Sequence, residues 1–280
     1  MINLANLLNG YYHCGALVCT FISMINEEPA DQVNEIPDIN HEQVKTETSS
    51  TPTDESSDPV EMGENEQPVW DLEKVEKKLI KAYENNSETE VLAILKDNSF
   101  LFYDLFSRKY AVQPIFRELN FGGNFRCDFA WLNDNSSGPE WVVVEIEKPK
   151  MELFRIDGRP TAPFQAAIEQ VKNWDQYFRQ NQAEMRRIFG AVAQFRFVLV
   201  TGSYEEWQTE HAQKWRMYHH QTSEIEIRSM QTFFNSIEIV KNHPGELWSF
   251  EEHPKTLSHS KLKEYWQNYE YMDRWRQITS

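Results

Sequence analysis

The chain of 280 residues has a formal net charge of −16, and its acidity is unevenly distributed. Residues 1–68 contain thirteen acids and a single base, Lys45, so the remaining 212 residues carry 31 acids against 27 bases. This near balance excludes nucleic-acid binding that depends on net charge alone, but it permits a local basic groove.

The N-terminal segment is expected to lie outside the folded domain. Residues 1–26 are apolar around 16–25, but they have neither a basic region nor an apolar span long enough for a membrane helix. Three cysteines without metal-ligand spacing fit a reducing compartment, so we expect a cytoplasmic protein with no membrane contact. Residues 27–68, rich in Glu, Asp, Ser, Thr and Pro, predict a disordered acidic linker, and 69–280 predict the folded domain.

Two helices are predicted at the start of this domain. The apolar residues between Leu72 and Tyr83 have helical spacing. A second helix is predicted from Ser87, because Glu90 follows three residues later as in a capping box. Three strands are predicted next: one at 115–119, a turn at Gly122-Gly123, one at 124–132, a loop at 133–139 and one at 141–147.

Acidic side chains lie within one of these strands and at the end of the next. Glu145 and Glu147 share one face, about 6.6 Å apart along the strand, while the other face is apolar. With Asp128 on the neighbouring strand, they predict a site for a hard divalent cation that activates water against a phosphodiester. The alternatives are ordinary: Asp128 paired with Arg126, and the two glutamates on an exposed face. Close like charges favour the metal site.

Helices and strands alternate in the second half of the domain. The predicted elements are a helix at 163–180, a buried strand at 195–201, a helix at 204–219, a strand at 225–227, and helices at 230–239 and 258–277. This order predicts an α/β fold with a mixed central sheet flanked by helices. Glycine-rich phosphate loops, nucleophile elbows and HExxH pairs are absent from the sequence, which disfavours kinases, P-loop ATPases, serine hydrolases and zincins.

Several motifs resemble those of the Shedu antiviral defence nucleases, within the PD-(D/E)xK nuclease superfamily. They are ETEVLAILKDNSFLF, FRCDFAWL, VVVEIEKPK, and FRFVLVTG with the later IEIRSMQTFF. The resemblance covers roughly residues 85–240 and implies a restriction-endonuclease-like core. It also implies a Mg²⁺- or Mn²⁺-dependent endonuclease of antiphage defence that forms a homo-oligomer and cuts double-stranded DNA.

The resemblance also implies roles for individual residues. By motif position, Asp128 and Glu145 are the metal ligands, with the carbonyl of Ile146 nearby. The superfamily's early-helix glutamate falls at Glu88 or Glu90. Its crossover-helix glutamine matches Gln170, with Gln165 the weaker candidate.

One motif position departs from the superfamily pattern, because Glu147 stands where the lysine is expected and Lys148 follows it. Adjacent strand residues face opposite sides, so Lys148 reaches the site only through a bulge or twist. Three interpretations remain open. Glu147 is the general base or an extra ligand; or Lys172 of the crossover helix supplies the lysine; or the chain is a non-catalytic nuclease-fold module that binds nucleic acid or protein.

Overall fold

A computed structural model of the protein describes residues 69–107, 111–122 and 125–279. The predictions for residues 1–68, and part of the predicted Gly122-Gly123 turn, lie outside these residues. Within the described ranges, none of the helices combines the length and the apolar character that crossing a bilayer requires.

The described chain alternates helices and strands. The helices are α1 (Leu72–Glu84), α2 (Glu88–Asp97), α3 (Ala162–Gln180), α4 (Gln182–Phe189), α5 (Tyr204–Trp207), α6 (Glu210–Thr222), α7 (Gln231–Asn242), α8 (Trp248–Glu251), α9 (Leu262–Asn268) and α10 (Glu270–Thr279). The strands are β1 (Phe116–Gly122), β2 (Phe125–Asn135), β3 (Gly138–Ile146), β4 (Gln194–Val200), β5 (Ile225–Arg228) and β6 (Leu257–Ser258). A 3₁₀ segment, Ser99–Leu105, follows α2.

The strands form one mixed sheet in the order β5-β4-β3-β2-β1-β6. The β1–β2 and β2–β3 pairs are antiparallel, whereas β3–β4, β4–β5 and β1–β6 are parallel. The predicted mixed sheet flanked by helices is therefore confirmed. The apolar runs of β3 and β4 occupy the centre, where both faces of a strand are buried.

Each face of the sheet is covered by its own apolar layer. Val142, Val144 and Ile146 pack with α1, α2, the 3₁₀ segment and α7. Trp141 and Val143 pack on the opposite face with α3, α4 and α9. The alternation predicted for this strand is confirmed, and it leaves Glu145 on the α3 face.

The last part of the described chain completes both the sheet and one apolar layer. β6 pairs with β1 at the sheet edge, with Phe116 opposite Leu257. The indole Nε1 of Trp266 in α9 donates to the carbonyl of Ile188 at 2.9 Å. Elements beyond the strand-rich centre therefore belong to the same core.

The predicted start of α2 is confirmed. The Ser87 hydroxyl accepts the backbone N–H of Glu90 at 3.2 Å, which satisfies one of the unpaired amides at a helix start. The Glu90 carboxylate accepts from the Asn85 amide instead of returning to Ser87, whose own N–H donates to the carbonyl of Ala82. Only half of the capping box forms.

The loop predicted at 133–139 is wrong. β2 continues to Asn135 and β3 begins at Gly138, so a tight turn joins the strands. Asn133 lies opposite Glu140 and donates to its carboxylate at 2.7 Å. Cross-strand side-chain bonding of this kind keeps a polar sequence in the sheet.

Two long predicted helices are each divided. The helix predicted at 204–219 is α5 and α6, because Ser203 and Thr209 each cap a helix start. The helix predicted at 258–277 is α9 and α10, separated at Tyr269, whose backbone is extended, and its predicted start is wrong because Ser258 ends β6. The helices α4 and α8, the strand β6 and the 3₁₀ segment were not predicted.

Candidate functional site

The carboxylates predicted to bind a metal lie where β3 ends. One oxygen of Asp128, Oδ2, accepts the backbone N–H of Ile146 at 2.9 Å. Phe129 pairs with Val144, and continuing this antiparallel register places Asp128 opposite Glu145. The structure therefore brings Asp128 to the end of β3, beside Glu145.

Glu145 faces the crossover helix α3. Its Oε1 accepts a hydrogen bond from Nε2 of Gln170. Its Oε2 is buried and has no hydrogen-bond partner among the residues that the structure describes. Gln165, the weaker candidate, is exposed and donates to Glu169, so Gln170 is the glutamine that reaches the acids. A buried carboxylate oxygen without a donor is costly unless a cation or solvent satisfies it.

Burial and mutual repulsion raise the pKa values of the acids. The pKa of Asp128 rises mainly through burial, opposed by the Ile146 N–H and increased by Glu88. The pKa of Glu145 rises through burial and then through the charges of Asp128 and Glu147. For Glu147, burial, then Glu88 and then Asp128 raise the pKa to about 7. The four carboxylates thus form one electrostatic group.

The two early-helix candidates differ in position. Glu88 is half-buried in the first turn of α2, and its charge raises the pKa of Asp128, Glu145 and Glu147. Glu90 is exposed and bonds to Asn85. The structure brings Glu88 to the acidic group and leaves Glu90 outside it.

The two lysine candidates differ in their relation to the acids. The side chain of Lys148 is exposed, while its backbone N–H bonds to Glu147 and its charge lowers the pKa of that carboxyl. Lys172 is exposed and its Nζ lies 3.2 Å from Glu169. Arg126, the ordinary partner considered for Asp128, is exposed and lowers the pKa of Asp128. The structure does not bring Lys172 to the group.

A further cation was missed in the sequence. Lys96, in the last turn of α2, lies 2.9 Å from a carboxylate oxygen of Glu118, and its charge lowers the pKa of Asp128. A lysine in a last helical turn is common, because it offsets the negative end of the helix dipole. The sequence therefore gave no sign that Lys96 lies near the acids.

The acids fit a hard divalent cation in chemistry. Among residues 69–107, 111–122 and 125–279, no three His, Cys, Asp or Glu side chains already lie in a metal-binding cluster. Mg²⁺ commonly takes one or two carboxylates and completes its shell with water and substrate phosphate. Asp128 and Glu145, with one unsatisfied buried oxygen between neighbouring negative charges, meet that smaller requirement.

Comparison with protein families gives a match over more than half of the chain. Residues 85–233 match the family model described as Shedu protein SduA, C-terminal. The matched region contains the sheet from β1 to β5, the crossover helix and every acid of the group. No curated protein matches the chain.

Proposed function

The chain belongs to the Shedu family, and on that premise we propose that it is a Mg²⁺- or Mn²⁺-dependent DNA endonuclease of antiphage defence. The observation that carries the proposal is the acidic group at the end of β3, in which Glu145 keeps a buried oxygen without a partner. We further propose that the mixed sheet is a PD-(D/E)xK core, in which acids on neighbouring strands are the expected metal ligands.

Three of the four acids have distinct parts in the proposed reaction. Asp128 and Glu145 would hold the cation, which would polarise the scissile phosphate and lower the pKa of the attacking water. Glu147 would accept the proton from that water, because a pKa of about 7 suits a general base near neutral pH. Gln170 would keep Glu145 in place through its hydrogen bond.

Two exposed lysines that follow Glu147 within three residues of the chain support a polyanionic substrate. The backbone of Lys150 is fixed by Asn86 at 2.8 Å, and its Nζ lies 4.8 Å from the centre of the Tyr83 ring. Lys148, two residues earlier, is exposed beside Glu147. Cations on a rigid rim bind phosphates and hold a strand near the acids. Double-stranded DNA is the substrate that we propose.

Nicking of supercoiled plasmid in Mn²⁺ tests the proposal. Glu145→Gln and Asp128→Asn should each lower the rate by about a hundredfold or more, since each removes a charge at the reacting centre. The asparagine still offers an oxygen to the Ile146 N–H, so the sheet is preserved. Glu90→Gln, an exposed acid on α2, is the control and should retain the wild-type rate. Equal rates in all four proteins would refute the assignment.

The second candidate is a non-catalytic nuclease-fold module that binds nucleic acid or protein. It is favoured by one observation, the glutamate at position 147 in place of the superfamily lysine. If plasmid is bound but never nicked, at any Mn²⁺ or Mg²⁺ concentration, this candidate replaces the enzyme. Sedimentation of the full chain tests the homo-oligomer that we propose from the family.

A further inference from the structure

A small hairpin lies between Glu147 and the crossover helix α3 along the chain. Phe154 and Pro160 pair across its base, and the Arg155 N–H donates to the Arg159 carbonyl at 2.8 Å. The N–H of Gly158 closes the turn onto the Arg155 carbonyl at 2.8 Å, and Gly158 has a φ of +77°. This is a tight turn followed by a left-handed residue, one of the common short hairpin geometries.

The hairpin is firmly held at its base. The Glu206 carboxylate accepts the N–H groups of both Leu153 and Phe154, and the Thr161 N–H donates to Leu153 at 2.9 Å. Gly158 is seated against His211, where an added Cβ would come within 2.6 Å of the imidazole. The tip therefore projects from a fixed support and has little ordering entropy left to lose on binding.

The residue at the tip is unexplained by folding. Ile156 has a relative exposure of 102%, the highest among the large apolar side chains that the structure describes as exposed. It buries nothing, and the second position of a tight turn does not require a β-branched residue. Arg155 precedes Ile156 and Asp157 follows it, and Arg159 stands at the other end of the turn. The side-chain nitrogens of the two arginines lie 3.8 and 3.9 Å from the Asp157 carboxylate. Exposed pairs at such distances are weak, so both cations remain available.

We propose that this hairpin is a wedge that inserts Ile156 between base pairs of duplex DNA while Arg155 and Arg159 contact the flanking phosphates. An apolar tip between two cations complements a stacked interior between two anionic strands, and isoleucine is among the side chains that serve as such wedges. Duplex DNA is the partner because the proposed function is that of a DNA endonuclease, and the wedge proposal rests on that function.

The position of the hairpin fits that role. Ile156 follows Glu147 by nine residues, so it lies within about 30 Å of that carboxylate. About the same length separates successive turns of a duplex. A wedge within that limit would unstack and bend the DNA no more than about one duplex turn from the acids, which would set the register of the strand that reaches them.

Fluorescence of duplexes that contain 2-aminopurine tests the insertion, because this base brightens when it is unstacked. The full chain is titrated in EDTA and in Ca²⁺, so that binding is read without cutting. Wild type should raise the fluorescence at one position. Ile156→Ala should abolish the rise and weaken affinity about tenfold, by loss of a buried side chain. Ile278→Ala, an exposed isoleucine of α10, is the matched control and should behave as wild type.

The arginines have their own readout. Arg155→Gln with Arg159→Gln should lower the salt dependence of binding by about two phosphate contacts, whereas Arg274→Gln, at an exposed arginine of α10 outside the hairpin, should leave it unchanged. Unaltered fluorescence in Ile156→Ala overturns the wedge even if plasmid is nicked. Unstacking without nicking supports the wedge and removes the nuclease. Binding to anionic vesicles instead of duplex overturns both DNA proposals.

Discussion

Replacing Glu147 by glutamine tests whether the acids form one strained electrostatic group. In the folded protein the pKa of Glu147 is raised from 4.5 to about 7, with burial as the main cause and Glu88 as the next. At full effect this shift corresponds to about 3 kcal/mol. Solvent screening of a half-buried carboxylate reduces the figure to about 1–2 kcal/mol.

The sign follows from proton binding. Between pH 4.5 and 7 the folded state holds a proton on Glu147 that the unfolded state has released, so stability falls as pH rises through this window. Glutamine cannot ionise, and Glu147→Gln should therefore escape this loss. We expect the variant to gain about 1–2 kcal/mol over wild type between pH 5 and pH 8.

Urea unfolding of the metal-free protein at several pH values measures this gain. Glu90→Gln, an exposed acid in the same region, should follow the wild-type pH dependence. If wild type and Glu147→Gln instead lose stability in parallel from pH 5 to pH 8, the repulsion inferred for the site is absent and its use as a base loses its physical ground.

Two further predictions concern the same acids. Calorimetry should detect Mn²⁺ binding that is tighter at pH 8 than at pH 6, because protons compete with the metal for carboxyls whose pKa is raised. Glu145→Gln should abolish this binding. Binding that does not depend on pH, or that survives in the variant, would contradict the site. Gln170→Ala should destabilise the metal-free protein by about 1–3 kcal/mol, since both oxygens of Glu145 then lack a donor, whereas Gln165→Ala on the exposed face should cost less than about 0.5 kcal/mol. Equal unfolding midpoints for Gln170→Ala and Gln165→Ala would show that the hydrogen bond to Glu145 contributes nothing to stability.

Local pattern was enough to predict the central elements and the faces of β3. Alternation separated Glu145 from Val144, and a hydroxyl followed by an acid marked the start of α2. Composition misled at 133–139, because cross-strand partners decide whether polar residues form a loop or a sheet end, and those partners are distant in sequence.

In the candidate site, too, some residues were predictable from the sequence and others depend on tertiary packing. Strand order and motif position identified Asp128, Glu145 and Gln170, which the structure brings together. Helix rotation decides between Glu88 and Glu90, and that depends on how α2 packs on the sheet. The approach of Lys96 to Asp128 depends on tertiary packing as well, so no local pattern announced it.

The edge strand β6 and the indole of Trp266 limit how this protein can be trimmed for study. A fragment cut at the limits of the family match, 85–233, would lack β6, the edge partner of β1, and would expose the apolar surface on which α9 packs. Such a fragment would expose the unpaired edge of β1, and we expect its molecules to aggregate through this edge. The limits of the family match are therefore not the limits within which the chain folds independently.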